Sequence, residues 1–404
     1  MRRWFHGRSG MVSSKHVANE SIKEKNTMDF FKPHTLFLLA IFILTISSTT
    51  NSMDSSNQAP NKGAYWPSWS DLPPSAIDTT LFTHAYFAFL SPDNITFKFD
   101  IDDPTALLLK NFTTTLHHKN PPLKTLFSIG GASDGPLIFS RMASCRDSRK
   151  TFILSTIEVA RKFEFDGIDL DWEFPQNPSD MENLSRLLRE WRAAVKKEAK
   201  ATGKRQLLLS AATYYSPEVR LDNVYRKYPV ASINKNLDWI NAMCYDYHGG
   251  WDRSATGALA SLYDPNSNVS TSHGLQSWIG AKIRREKLVM GLPLYGRTWQ
   301  LKDPFLYGIG APAVDIGPGI DGQMSYADVE KFNAENNATV VFDLSTVSAY
   351  SFAGTSWIGY DDVRSVTLKV AYARALKLGG YFFWAVSGDQ DWKISRQASK
   401  TWII

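Results

Sequence analysis

From Gly63 onward, short apolar or β-branched runs alternate with stretches of 3.6-residue periodicity, and nothing else in this 404-residue chain limits its fold so tightly. Strand signals fall at Gly63–Tyr65, Leu81–Phe89, Lys124–Ile129, Gly167–Asp171, Gln206–Ala212, Leu237–Tyr245, Leu288–Tyr295 and Gly380–Trp384, eight in all. Among the helical stretches, the clearest opens on a capping-box pattern at Ser179 and Glu182 and lines Leu184, Leu187, Leu188, Trp191 and Val195 along one face. Another runs from about Asp361 and ends at Gly379–Gly380. Eight β-then-α units predict an α/β protein of the (β/α)8 TIM-barrel type, a parallel barrel with helices outside. A doubly wound open sheet is the weaker alternative, because no GxGxxG follows the first strand. About 65 residues separate Tyr295 from Asp361, too many for a simple loop. A capping pattern at Ser325 and Asp328 and a β-rich run at Thr339–Phe342 predict a small inserted α+β subdomain there, about residues 298–358, after the seventh strand.

The N-terminal segment reads as targeting. Leu36–Ile46 is an 11-residue apolar run, flanked by Lys32 and followed by small residues. A bilayer-spanning helix needs ~20 residues, so the run fits the core of a secretory signal better than a membrane span. Residues 1–52 are therefore expected to be an N-terminal extension and signal peptide, with Met28 as the working start, ahead of one domain over 53–404. An uncleaved anchor is the alternative. The expected destination is outside the cell or the vacuole, by the secretory route. Five Asn-x-Ser/Thr triplets, at Asn94, Asn111, Asn183, Asn268 and Asn337, agree with secretion. Cys145 and Cys244 are the two cysteines and read as two buried thiols rather than a disulfide.

Charge excludes one class of partner. Of the formal +5, residues 1–27 account for +4, through six basic and two acidic side chains, and residues 28–52 are neutral. The remaining chain carries +1, which gives no electrostatic grip on a nucleic acid. No membrane contact is expected once the signal is removed, and a monomer is expected.

The octet Asp166-Gly-Ile-Asp169-Leu-Asp171-Trp-Glu173 carries the chemistry. On a strand and its exit, the period of two sets Asp169, Asp171 and Glu173 on one face and Ile168, Leu170 and Trp172 on the other. Carboxylates packed this closely cannot all ionise at ordinary pKa values. No histidine accompanies the cluster, and the surrounding aromatics suit a sugar ring better than a hydrated cation, so neither metal nor cofactor is expected. Glu173 would lie at the C-terminal end of the fourth strand, where barrel enzymes hold catalytic groups. A carboxylic acid with a raised pKa can protonate a leaving oxygen, which points to glycoside hydrolysis.

Over nearly all of residues 61–404 the sequence resembles the chitinases of glycoside hydrolase family 18, and among them the plant class V chitinases. The octet matches the family's D-x-x-D-x-D-x-E signature. Ser128-Ile-Gly130-Gly131 resembles the third-strand motif, Met243-Cys-Tyr245-Asp246 the sixth and Gly291-Leu-Pro-Leu-Tyr295-Gly-Arg297 the seventh, while Trp384 matches the eighth-strand tryptophan. The resemblance implies an exception to the usual two-carboxylate scheme: the substrate's own 2-acetamido oxygen attacks the anomeric carbon, giving an oxazolinium intermediate and retention. It implies Glu173 as acid and then base, Asp171 as acceptor of the acetamido N–H, and Asp169 sharing a proton with Asp171. Tyr245 would bond the acetamido oxygen, Trp384 would floor the subsite, Met243 would pack beneath the acetamide, and Asp246 and Arg297 would be polar contacts. Met243 and Tyr295 read equally well as barrel filling.

The implied function is a secreted endo-acting chitinase, with chitin or N-acetylglucosamine oligomers as its partner. The alternatives are a lectin-like relative that binds without turnover, an endo-N-acetylglucosaminidase and a hydrolase of acylated chitin oligomers. Among Trp66, Trp69, Tyr214, Tyr215, Tyr247, Trp251 and Trp357, two or three are expected to line the cleft. His248, in a loop that departs from the commoner class V pattern, is expected to cap that loop.

Overall fold

A computed structural model describes residues 59–403. The signal run, the Met28 start and the rest of residues 1–52 lie outside the described residues. Eight parallel strands close into a barrel: β1 (Asn61–Pro67), β2 (His84–Leu90), β3 (Lys124–Gly130), β4 (Gly167–Asp171), β5 (Leu208–Tyr214), β6 (Trp239–Met243), β7 (Leu288–Pro293) and β8 (Gly380–Trp384). Each pairs with its neighbour in sequence, and β8 closes on β1 through Asn61–Gly380 to Ala64–Phe383. The TIM barrel expected from the β/α alternation is what forms. Strands β4 and β8 have the expected limits, whereas β5 starts two residues later than expected. Gln206 and Leu207 still belong to the connection from the preceding helix.

The helices pack their apolar faces on the barrel's outside. Pro178–Thr202 buries Leu184, Leu187, Leu188, Trp191 and Val195, each such side chain contributing roughly 1.5–3 kcal/mol. Its start differs from the capping box expected at Ser179 and Glu182. Asn177 is the cap, its side chain accepting from the Asp180 amide, and Pro178 takes the first helical position, where a missing N–H costs nothing. The helix Val363–Ala375 opens on a capping box of Asp362 and Ser365.

Inside the barrel the filling is polar and aromatic. Register sets Ser128 of β3 beside Asp169 of β4, and Asp169 beside Ser210 of β5. Tyr65 and Tyr86 stack with ring centroids 4.4 Å apart, and Trp239 donates to the Tyr86 hydroxyl at 2.9 Å. Ile168, Leu170 and Trp172 point outward into the core beneath the helices, so the alternation along the octet holds.

After β7 the chain leaves the barrel for a six-stranded antiparallel sheet and the helix Tyr326–Glu335, capped by Ser325 as expected. This insertion runs from Tyr295 to Tyr360, a few residues wider at each end than its sequence signal. Its core is built on Trp299, Trp357, Tyr350 and Leu301. A second departure from the barrel follows β5, where Glu218–Leu221 and Val224–Lys227 form a two-stranded hairpin that the sequence reading passed over.

Both cysteines are free thiols, but only Cys244 is buried. Cys145 is exposed because it caps the helix Arg146–Lys162 from outside. Four of the glycosylation triplets present an exposed asparagine. Asn183 is buried on the helix Pro178–Thr202, where its side-chain oxygen accepts from Arg186 at 2.8 Å, and this corrects the reading of it as an acceptor site. Among the described residues no helix is long and apolar enough to cross a membrane.

Candidate active site

The four acidic residues of the octet meet four environments. Asp166, just before β4, lies at the far end of the barrel. Burial raises its pKa, but bonds from His117 (3.0 Å) and the Thr125 amide (2.9 Å) outweigh that and hold its carboxyl below the usual range. Asp169 is fully buried and accepts from three hydroxyls: Tyr65 at 2.8 Å, Ser128 at 2.7 Å and Ser210 at 2.6 Å. Burial pushes its pKa up and the three bonds pull against it. Asn241 donates to Tyr65 at 2.9 Å, extending the network across the barrel.

Asp171, one turn of the pleat higher, is treated differently. Its Oδ1 is buried and has no hydrogen-bond partner. Burial, then the charges of Glu173 and Asp169, drive its pKa well above the carboxylate range. The resemblance implies a proton shared between Asp169 and Asp171; in the structure the hydroxyl donors to Asp169 are two on Oδ2 and one on Oδ1. Glu173, at the strand exit, is pushed up to about 7 by burial and then by the charge of Asp246. At neutral pH it therefore has a substantial protonated fraction, as a general acid requires.

Backbone shape brings these groups together. Gly130 and Gly131 both have positive φ (+106° and +84°), and the Gly131 amide bonds the Asp171 carbonyl at 2.9 Å. A Cβ at Gly130 would lie 2.3 Å from that carbonyl, and one at Gly131 would strike the Phe89 ring. The glycine pair therefore permits two close approaches, one to the carboxylate strand and one to an aromatic floor. That floor is Phe89 stacked on Trp384 (5.4 Å, 26°), with Trp69 next in line at 6.3 Å and 67% exposed. Phe89 was missed in the sequence; its place at the C-terminal end of an inward-facing strand was the available signal.

Just past β6, Tyr245 packs edge-on to Tyr295 (6.3 Å) and Phe382 (6.1 Å). Burial, then Tyr295 and the nearby carboxylates, raise its pKa, so the phenol stays a donor. Gly291 lies beneath it, and a Cβ there would meet the ring at 2.8 Å. Met243 is half-buried in the cluster of Tyr65, Tyr86 and Trp239 and flanks the same hollow. Asp246, which has φ +57°, pairs with Arg297 through two nitrogens at 2.8 and 2.9 Å. Arg297 also lies over the Trp251 ring at 5.1 Å. The structure thus gathers Asp171, Glu173, Met243, Tyr245, Asp246, Arg297 and Trp384 toward the C-terminal ends of the strands, with Asp169 below them inside the barrel.

The rim aromatics divide. Trp69 and Trp251 are exposed, and Tyr214 is half-buried against Phe174 (5.2 Å). Trp66, Tyr215 and Tyr247 are core residues, and Trp357 is fully buried inside the insertion, so these four do not line a cleft. His248 packs its ring over Gly257. Among the described residues no group of three or more His, Cys, Asp or Glu side chains is arranged to hold a metal.

The pattern of glycosyl hydrolases family 18 matches residues 61–389, most of the chain and all eight strands. The chain belongs to that family. A class V chitinase from Medicago truncatula is 50% identical over 375 residues, covering 92% of this chain and 97% of that one. Nod factor hydrolase protein 1, from the same plant, is 50% identical over 346 residues, covering 84% and 89%. A solved class V chitinase mutant from Nicotiana tobaccum in complex with NAG4 superposes with a TM-score of 0.82 at 41% identity, covering 86% of this chain and 99% of that one. The protein is thus a family 18 glycoside hydrolase of the plant class V chitinase type. The matched residues include the acidic octet on and after β4 and the sheet and helix inserted after β7.

Proposed function

We propose that the protein is a secreted, endo-acting chitinase that hydrolyses β-1,4 bonds between N-acetylglucosamine units with retention of configuration. One observation carries this reading. The Asp171 carboxylate is buried with an unpartnered oxygen, between an Asp169 that accepts from three hydroxyls and a Glu173 whose pKa is near 7. A buried acceptor without a donor costs about 1–3 kcal/mol, and a ligand N–H arriving there would recover it.

In the first step the 2-acetamido oxygen of the bound sugar forms a bond to its anomeric carbon while the bond to the leaving oxygen breaks. The Glu173 proton goes to that oxygen. Asp171 accepts the acetamido N–H and stabilises the positive charge of the oxazolinium, and the Tyr245 phenol donates to the acetamido oxygen and orients it. In the second step Glu173 takes a proton from water as the water oxygen bonds the anomeric carbon and the oxazolinium ring opens. Two displacements at one carbon leave its configuration unchanged. Trp384 and Phe89 present flat faces to the pyranose, and the Asp246–Arg297 pair faces the same hollow.

The apolar run at Leu36–Ile46 and the four exposed glycosylation triplets support export. The relative named for Nod factor hydrolysis supports a second reading, in which that substrate is cleaved by the same residues. Incubation of wild type and Glu173→Gln with chitin tetramer to hexamer tests the proposal. Wild type is expected to give short oligomers and the variant to bind without cleaving. Absence of cleavage by wild type defeats the enzyme assignment for this substrate, and cleavage that survives in the variant defeats Glu173 as the acid.

A further inference from the structure

Arg226 is a buried cation with an unusual set of partners. It lies on the second strand of the hairpin after β5 and is only 4% exposed. A buried guanidinium is ordinarily matched to a carboxylate. Here every bond goes to a backbone carbonyl: Nε to Pro175 at 2.7 Å, and one terminal nitrogen to Leu221 at 2.8 Å and Val224 at 2.9 Å. Leu221 and Val224 flank the hairpin turn, whereas Pro175 lies two residues beyond Glu173. The side chain is therefore a rivet between the hairpin and the strand-exit loop that carries the acid.

The rest of that loop is held from the other side. Asp180 accepts from the Gln176 amide at 2.9 Å and from Ser140 at 2.6 Å. Phe174 packs on Tyr214. By contrast, no hydrogen bond from a described residue reaches the Glu173 carboxyl itself, so its aim depends on its backbone. The hairpin's strands are four residues each, too short for independent stability, and apart from Arg226 only Val219 is buried.

We infer that Arg226 is a positioning residue, which clamps the Pro175 carbonyl so that the loop after β4 holds Glu173 in line with the leaving oxygen. The inference rests on the chitinase reading for its kinetic consequence but not for its structural one. Displacing a catalytic group by about 1 Å costs up to 10²-fold in rate.

The test compares wild type, Arg226→Met and Arg226→Lys by steady-state kinetics on chitin hexamer, melting temperature and amide hydrogen exchange over residues 173–180. R226M is expected to lose about 10- to 100-fold in kcat with KM within about twofold. Exchange should quicken in 173–180 and in the hairpin, and not across the barrel. R226K keeps a cationic donor on a stem of similar length and is expected to recover part of kcat. Unchanged kcat and unchanged exchange in R226M overturn the inference. So does a matched fall in kcat, KM quality and melting temperature with exchange rising everywhere, because that describes a merely structural residue. If wild type itself fails to cleave hexamer, the chitinase reading falls separately, and exchange decides: selective loosening of 173–180 supports the clamp and its absence refutes it.

Discussion

Asp169 and Asp171 stand two residues apart on one strand, point the same way and are both buried, yet they are finished to different degrees. Asp169 has three hydroxyl donors drawn from β1, β3 and β5. Asp171 keeps an oxygen with none. The first carboxylate is held on both oxygens by the barrel's own hydroxyls. The second is left incomplete where the strand opens to the cleft, which is where a substrate donor would arrive. Burial is common to both carboxylates, and what separates them is the number of internal donors each one meets.

Substitutions can break this contrast. The largest effect is expected at Glu173, where E173Q should lower kcat on chitin hexamer by about 10²–10⁴ while hexamer affinity, measured calorimetrically, stays within a few fold. Next comes Asp171: D171N should cost about 10²–10³ in kcat with little loss in melting temperature, because no internal donor is orphaned. Asp169→Asn should do the opposite in kind and destabilise the fold measurably, since an amide nitrogen facing three hydroxyl donors leaves bonds unmade. If D171N melts early and D169N does not, the division of labour is wrong. Smaller still, S128A and S210A each remove one Asp169 donor. Each should cost about 1–3 kcal/mol in denaturant unfolding, with kcat changed less than by D171N.

The pH dependence sharpens the same contrast. Because the Glu173 carboxyl is raised from 4.5 to about 7, kcat should fall on the alkaline side with a midpoint near 7, and E173Q should lack that limb. Between those values the folded state binds more protons than the unfolded one. This group's contribution to stability is therefore fully present below pH 4.5 and is lost as pH rises to about 7. Thermal melts across that window should show a shallower decline for E173Q than for wild type.

How much of this was legible in the sequence follows from physics that is local or not. The octet could be read because a period of two on one strand is local information. The eight units could be read because each β-to-α switch leaves its own pattern. What escaped depends on register between distant strands. Ser128, Ser210 and Tyr65 converge on Asp169, and Asn241 on Tyr65, only once β1, β3, β5 and β6 are aligned. Small polar residues at inward positions of otherwise apolar strands were the signal available. Aromatics misled for a related reason: Trp357 and Tyr247 look like rim residues by their neighbours in sequence, but the insertion and the barrel wall bury them. Arg226 gave no signal, since its partners are carbonyls, which every residue has.

The anomeric form of the first product tests the central claim most directly. Proton NMR during the first minutes of chitin hexamer hydrolysis by wild type should show newly formed reducing ends as the β-anomer, decaying later to the equilibrium mixture. That result requires two displacements at the anomeric carbon, as the acetamido route with Asp171 as its partner supplies. An initial burst of α-anomer would mean a single displacement by water and would contradict the account of why Asp171 is left incomplete.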